Sequence, residues 1–235
     1  NNARPGLMTA NAAKIYLNRY GILAGENIVI ATNNDSAYLT ASSLSNAGAP
    51  VTLLDSREQV LSSSQAGAQS AGVDVQHGMS ILNAKGSKGV YSIDLAEKSS
   101  DGWRAKNQMA CDLLLVSGGW SPVVNLLSHR GIKPVWDSVN ACFIAPDHHE
   151  PIAMAGSAAG IWDHADCVQS GEKAAAHAIA HLQGQHSQIP NQSGGWETPI
   201  EALYEISVSG RQYKSFVDPQ HDVTADDIRL AHQEG

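Results

Sequence analysis

Between residues 27 and 75, short β-branched runs alternate with helical stretches, and this alternation constrains the fold more than any other feature. The run 27–32 is apolar, preceded by Gly25 and followed by polar residues, which predicts a strand buried on both faces. A helix is expected over 35–46, with Asn34 or Asp35 as its N-cap and 46–48 closing it. A second strand at 50–54 ends in Asp55, a helix over 56–71 stops at Gly72, and 73–75 is a third strand. Strand, helix, strand, helix, strand in this order predicts a parallel sheet with right-handed crossovers.

The flanks extend the pattern. Residues 7–20 carry apolar positions at helical spacing, and Gly21 falls where a helix C-terminus favours glycine. Residues 79–84, 89–95 and 102–110 alternate, with Gly86, Gly89 and 99–102 as turns, so an antiparallel meander is expected. Residues 112–116 return as a buried strand, ending in Ser117-Gly118-Gly119-Trp120. A short helix at 123–129 follows, then short strands near 142–145 and 152–155. Gly156 to Gly160 forms a small-residue turn that leads into a long helix at about 163–182. Residues 183–199 have linker composition. Thr224, with Asp227 three residues on, begins a last helix in capping-box style. The fold class expected is α/β: a Rossmann-like parallel sheet with a meander insertion.

Composition excludes several roles. The net charge is −8, which argues against a nucleic-acid binder or docking on anionic membrane. No apolar run approaches the roughly 18 residues of a membrane span. Cys111, Cys142 and Cys167 stand far apart without a CxxC, so neither a disulfide framework nor a zinc site is expected, and a reducing cytoplasm is the default location. The chain opens Asn1-Asn2-Ala3 without Met and stops just after a helical pattern, so a piece of a longer protein is expected.

The chemistry-bearing positions cluster at strand ends. A dinucleotide fold needs glycines after its first strand, so that backbone amides can reach the pyrophosphate. In that register this chain has Ala31, Asn33 and Ser36, and the Asn33 side chain falls where phosphates would lie. Asn33, Asn34, Asp35 and Ser36 are the candidate phosphate-side residues. Asp55 ends the second strand where an acid would bind a ribose hydroxyl, and Arg57 could instead meet a 2′-phosphate. The alternative is a nucleotide fold kept as scaffold. Gly118 and Gly119 offer a second close approach, or a plain strand-end turn. Gly156 and Ser157 precede a helix whose free N–H groups suit an anion, or form an ordinary tight turn.

Other groupings read as surface. His177 and His181 share one helix face at chelating spacing, but no third ligand is evident, so a solvated face near a helix C-terminus is expected. His148-His149-Glu150 reads the same way. Asp163, His164 and Ser157 lack the G-x-S-x-G elbow of a hydrolase. No metal site is expected.

Five motifs resemble one family. Arg4-Pro5-Gly6, Tyr16-Leu17-Asn18-Arg19-Tyr20-Gly21, Thr32-Asn33-Asn34-Asp35-Ser36-Ala37-Tyr38, Ser117-Gly118-Gly119-Trp120-Ser121-Pro122 and the stretch from Asp218 to Ile228 occur in family order. Together they resemble the alpha subunits of heterotetrameric sarcosine oxidases. The resemblance implies two dinucleotide folds of disulfide-reductase type, one inserted in the other. On that mapping 6–120 is the inserted NAD(P)-like fold and 121–185 completes the first fold. Residues 186–235 are a linker and the start of an aminomethyltransferase-like domain. The first fold's glycine fingerprint would precede residue 1. The implied enzyme is an oxidoreductase acting on CH–NH groups with O2. It demethylates sarcosine to glycine, forms hydrogen peroxide and passes a one-carbon unit to tetrahydrofolate. The implied cofactors are NAD on the alpha subunit, with FAD and FMN chiefly on the beta subunit. The implied partners are beta, gamma and delta subunits and a small-molecule substrate. Reductases of this layout place Gly-Asp before the last helix, where this chain has Gly156-Ser157. The role that the resemblance implies for the segment is scaffold and subunit interface, with no catalytic residue of its own. The competing expectations are a non-catalytic interaction domain and an independent NAD(P)H-dependent flavoprotein reductase domain.

Overall fold

A computed structural model describes residues 4–60, 63–185, 197–203, 205–208, 214–218 and 221–235. Its centre is a five-stranded parallel sheet. The strands are β1 (Leu7–Thr9), β2 (Ile28–Thr32), β3 (Val51–Asp55), β4 (Asp74–His77) and β8 (Leu113–Ser117), in spatial order β1-β8-β2-β3-β4. Every neighbouring pair is parallel. The meander of β5 (Met79–Lys85), β6 (Ser92–Ser99) and β7 (Gly102–Ala110) is a separate antiparallel sheet. This is the α/β architecture that the sequence pattern predicts.

The period-2 alternation decides what each face of the parallel sheet holds. Ile28, Ile30, Val51, Leu53, Leu113 and Leu115 pack on Ala37, Tyr38, Ala41 and Leu44 of helix α2 (Ser36–Asn46), and on Ala10 and Ala13 of α1 (Ala10–Tyr20). The intervening Val29, Leu54 and Leu114 turn to the opposite face and meet Met79, Ile93 and Leu95 of the meander. Helices therefore cover one face and the meander covers the other. A sheet buried on both faces needs the near-continuous apolar runs found here. Each buried Leu or Ile contributes about 1.5–3 kcal/mol.

Local contacts set the ends of these elements. Thr9 Oγ1 accepts from Ala12 N and caps α1, and Gly21 closes it in the left-handed region at φ +66°. The Asp112 carboxylate accepts from Glu26 N and Asn27 N, which pins the start of β2 beside β8. An added Cβ on Gly25 would lie 2.5 Å from Leu113 Cβ, so only glycine fits that approach.

Several sequence expectations are corrected. Leu7–Thr9 is a strand and not the first helical turn, because it pairs with Leu114–Val116 across the sheet. The helix expected from residue 56 is α3 (Ser63–Ser70), since Ser56, Arg57 and Val60 turn inward and are buried first. Residues 152–155 form no strand. Residues 186–196 of the expected linker lie outside the described residues.

The remainder is α4 (Asn125–His129), the hairpin of β9 (Val135–Asp137) and β10 (Cys142–Ile144), α5 (His164–Leu182), the small hairpin of β11 (Phe216–Asp218) and β12 (Val223–Thr224), and α6 (Ala225–Glu234). Asp163 caps α5 by accepting from Ala165 N and Asp166 N. Thr224 and Asp227 form the expected reciprocal capping box on α6. No described helix is long and apolar enough to cross a membrane.

Candidate functional site

Parallel sheets of this kind bind ligands at the carboxyl ends of their strands, where the strand order reverses. Here the reversal lies at β2, which has β3 on one side and β8 on the other. The register sets Asp55, Thr32 and Ser117 level with one another across the three strand ends. The candidate residues from 33 to 36, Asp55, Gly118 and Gly119 therefore come together at one end of the sheet.

The strand–helix turn is filled by its own side chains. Asn34 Oδ1 accepts from Ser36 N at 3.1 Å and from Ser36 Oγ at 2.6 Å. Asn34 Nδ2 donates to Ser117 O at 2.9 Å and to Asn33 Oδ1 at 3.0 Å. Asn34 thus does the work expected of an N-cap, whereas Asp35 has helical backbone geometry and makes no side-chain cap bond. Trp120 Nε1 donates to Ser36 Oγ at 2.9 Å and closes the turn from outside. Asn33 Nδ2 donates to Gly118 O and to Glu201 O.

Asp55 is completely buried in a charge network. Its Oδ1 accepts from Arg57 N at 2.9 Å and from Arg57 Nε at 3.1 Å. Its Oδ2 accepts from Arg57 Nη2 at 2.8 Å and from Tyr38 Oη at 2.9 Å. Arg57 Nη2 also lies 2.8 Å from Asp35 Oδ1. Burial opposes the guanidinium charge, but hydrogen bonding and attraction from Asp55, then Asp35, outweigh it and hold the Arg57 pKa above its ordinary value. The Tyr38 phenol is pushed far up, first by burial and then by the Asp55 charge.

A second stretch of chain completes the network. Arg57 Nη1 donates to Thr198 O and Pro199 O, and Thr198 N donates to Asp35 Oδ2. Glu197 accepts from Ser63 N, and Lys98 bonds the Glu201 carboxylate. Nothing in the linker-like composition of this stretch signals that contact, because its backbone makes most of the bonds.

A dinucleotide requires bare amides at the turn and a free acid at the end of the second strand. Ser36 N is occupied by Asn34, and Asp55 is saturated by Arg57 and Tyr38. The crevice between β2 and β3 in this form does not fit the group.

A cleft of about 640 Å³ opens on the other side of Ser36 and Ser117. Gly118, Gly119 and Trp120 form one wall, Ser157, Trp162 and Cys167 another, and Lys14 and Leu39 reach it from α1 and α2. The Trp120 and Trp162 rings stand 5.8 Å apart at a tilt of 41°. Gly156 and Ser157 belong to a single 3-10 turn (Gly156–Ala159) and do not open the long helix, which begins at His164. Gly156 N donates to Ser170 Oγ, which leaves Ser157 as the member of this pair that lines the cleft. Among the described residues no three His, Cys, Asp or Glu side chains converge as a metal site.

No protein-family model matches the chain. Two curated relatives are the sarcosine oxidase alpha subunits of Rhizobium meliloti (strain 1021) and Corynebacterium sp. (strain P-1). The first is 34% identical over 100% of this chain and 23% of the relative. The second is 34% identical over 98% of this chain and 25% of the relative. The chain thus spans about a quarter of the length of the relatives it matches. Among solved structures, the thioredoxin reductase of T. acidophilum superposes with a TM-score of 0.55 at 14% identity, covering 76% of this chain and 58% of that one. The Lactococcus lactis thioredoxin reductase gives 0.55 at 18% identity, covering 78% and 59%. The chain therefore shares the fold of these thioredoxin reductases and is similar along its whole length to the sarcosine oxidase alpha subunits.

Proposed function

We propose that this chain serves as dinucleotide-fold scaffold and subunit interface in a sarcosine oxidase alpha subunit, and supplies no catalytic residue. The observation that carries this reading is the end-to-end similarity to such subunits, in which no part of the chain is left unmatched. The closed β2–β3 crevice supports it, since an acid and a cation that neutralise one another are unavailable for proton transfer.

The nucleotide proposed for the whole subunit is NAD. The wall of its site on this chain is the cleft at Gly118, Gly119 and Ser157, with Ser36 at its edge. Of the remaining candidates, Asn33 and Asn34 bond Gly118 O and Ser117 O behind that wall, Gly156 bonds Ser170, and Asp35 and Asp55 stay with Arg57 on the β3 side. FAD, FMN and tetrahydrofolate belong, in this proposal, to other parts of the assembly and its beta, gamma and delta subunits. The proposed reaction is oxidative demethylation of sarcosine by O2 in the cytoplasm, with hydrogen peroxide released.

The test is sarcosine-dependent peroxide formation by an alpha subunit carrying this segment, coexpressed with a flavin-bearing partner. Peroxide is expected. A complex that assembles with its flavins and oxidises no secondary amine would leave only the interaction role. A second measurement concerns this chain alone. NAD well above any working concentration should leave its melting temperature unchanged. A clear rise would favour an independent nucleotide-binding domain.

A further inference from the structure

We propose that the crevice at the carboxyl ends of β2 and β3 is a peptide groove, and that its resident ligand is the chain's own segment 197–201. The reading is independent of the reaction proposed above. It rests on what fills the groove.

The segment is held by its backbone. Thr198 N donates to Asp35 Oδ2 at 3.0 Å, and Ile200 N donates to Val139 O at 3.2 Å. Thr198 O and Pro199 O both accept from Arg57 Nη1, at 3.2 and 3.3 Å. Glu201 O accepts from Asn33 Nδ2 at 2.9 Å, and Glu201 N approaches Asn33 O at 3.4 Å. Pro199 has no N–H and stands where no acceptor is needed. Backbone pairing of this kind is how grooves hold peptides, with pockets for single side chains adding selectivity.

Three side chains supply that selectivity. Ile200 is 5% exposed and lies toward Gly119, whose Cβ, if present, would be 3.9 Å from Ile200 Cδ1. Glu197 takes Ser63 N at 2.8 Å and Ser63 Oγ at 3.1 Å. Glu201 pairs with Lys98. The segment is therefore acidic at both ends, with an apolar anchor between, and the groove presents donors at both ends.

The groove's cation is oriented by side chains outside the segment. Asp55 and Asp35 hold the Arg57 guanidinium so that Nη1 points outward at the two carbonyls. A pre-oriented fork loses less freedom on binding than a mobile side chain. A nucleotide in this crevice would need Asn33, Asp35 and Asp55, two of which bind the segment directly and the third through Arg57. The two ligands exclude each other.

The test uses the full chain. Hydrogen exchange on the unaltered protein should show the Thr198 and Ile200 amides protected at least about tenfold over an unstructured peptide. Exchange at the unstructured rate would overturn the proposal. Next, the segment is weakened in place by Glu197→Ala, Ile200→Gly and Glu201→Ala, and a labelled peptide of residues 197–202 is added at up to about millimolar, the order of concentration a tether provides. Saturable binding is expected, at least tenfold weaker to the unaltered chain and to a peptide bearing the same three substitutions. No binding to a folded variant would overturn the proposal. Displacement of the peptide by NAD or NADP would make the crevice a nucleotide site instead. If the triple variant fails to fold, the exchange experiment decides alone.

Discussion

Arg57 and Asp55, two residues apart, lie fork against carboxylate: Nη2 is 2.8 Å from Oδ2, Nε is 3.1 Å from Oδ1, and both side chains are buried. Removing Arg57 strands the buried Asp55 and Asp35 carboxylates together, and removing Asp55 leaves the buried guanidinium with Asp35 alone; breaking a buried pair costs about 3–5 kcal/mol. Arg57→Ala and Asp55→Ala should each lower stability by that amount in urea unfolding. An Arg57→Met, Asp55→Leu double variant should lose much less than the sum of the single substitutions. Simple additivity would show that the two charges are not coupled.

Tyr38 Oη donates to the same carboxylate. Tyr38→Phe should cost about 1.5–3 kcal/mol, the range for a hydrogen bond to a charged acceptor. The folded-state pKa is raised, by burial first and then by Asp55, above an unfolded value near 10. The sign follows from linkage: the contribution is whole below about pH 10 and is lost as pH rises beyond it. Urea midpoints between pH 8 and 11 should fall more steeply for the unaltered chain than for Tyr38→Phe. Parallel curves would rule out this titration.

Asn34 both accepts from the first amide of α2 and donates to Ser117 O. Asn34→Ala should therefore cost about 1–2 kcal/mol, as a lost cap does. Asn34→Asp keeps the acceptor but faces Ser117 O with a carboxylate, so it should do no better than alanine. An Asp variant as stable as the unaltered chain would show that the bond across to β8 contributes nothing.

The three thiols should separate by burial. The Cys111 thiol is pushed up to about 11 by burial and then by the Asp112 charge, and Cys142 is raised by burial and then by Asp137. Cys167 is half-buried, with its Sγ donating to Ile161 O at the cleft. Because only the thiolate reacts, alkylation near pH 8 should modify Cys167 first, and Cys111 at least about tenfold more slowly. Peptide mapping after timed alkylation reads the order, and early labelling of Cys111 would contradict its burial. With its folded pKa raised, Cys111 supports the fold fully below an unfolded value near 9, and that support is lost as pH climbs to about 11.

What was legible in advance was whatever neighbouring residues decide among themselves. The runs at β2, β3 and β8 carry a two-sided apolar pattern, and period 2 alone sends Leu114 to one face and Leu113 and Leu115 to the other. Gly21 and the pair Thr224 and Asp227 mark helix ends through bonds that reach only a few residues. These features follow from backbone sterics and local hydrogen bonding, so a short window contains all of their cause.

The corrections share the opposite property. Leu7–Thr9 is a strand because Leu114 lies beside Leu7, a partner more than a hundred residues away. Asp55 and Arg57 read as ribose and phosphate contacts until the folded sheet buries them against each other. Segment 197–203 has no periodicity to read, since carbonyls and amides present in every residue hold it to Arg57, Asp35 and Asn33. The alternation of strands and helices over 27–75 and the sidedness of each strand were written in the chain. Which polar groups satisfy one another at the strand ends was decided by tertiary structure, because burial removes water and obliges each group to find whatever partner the folded chain brings near.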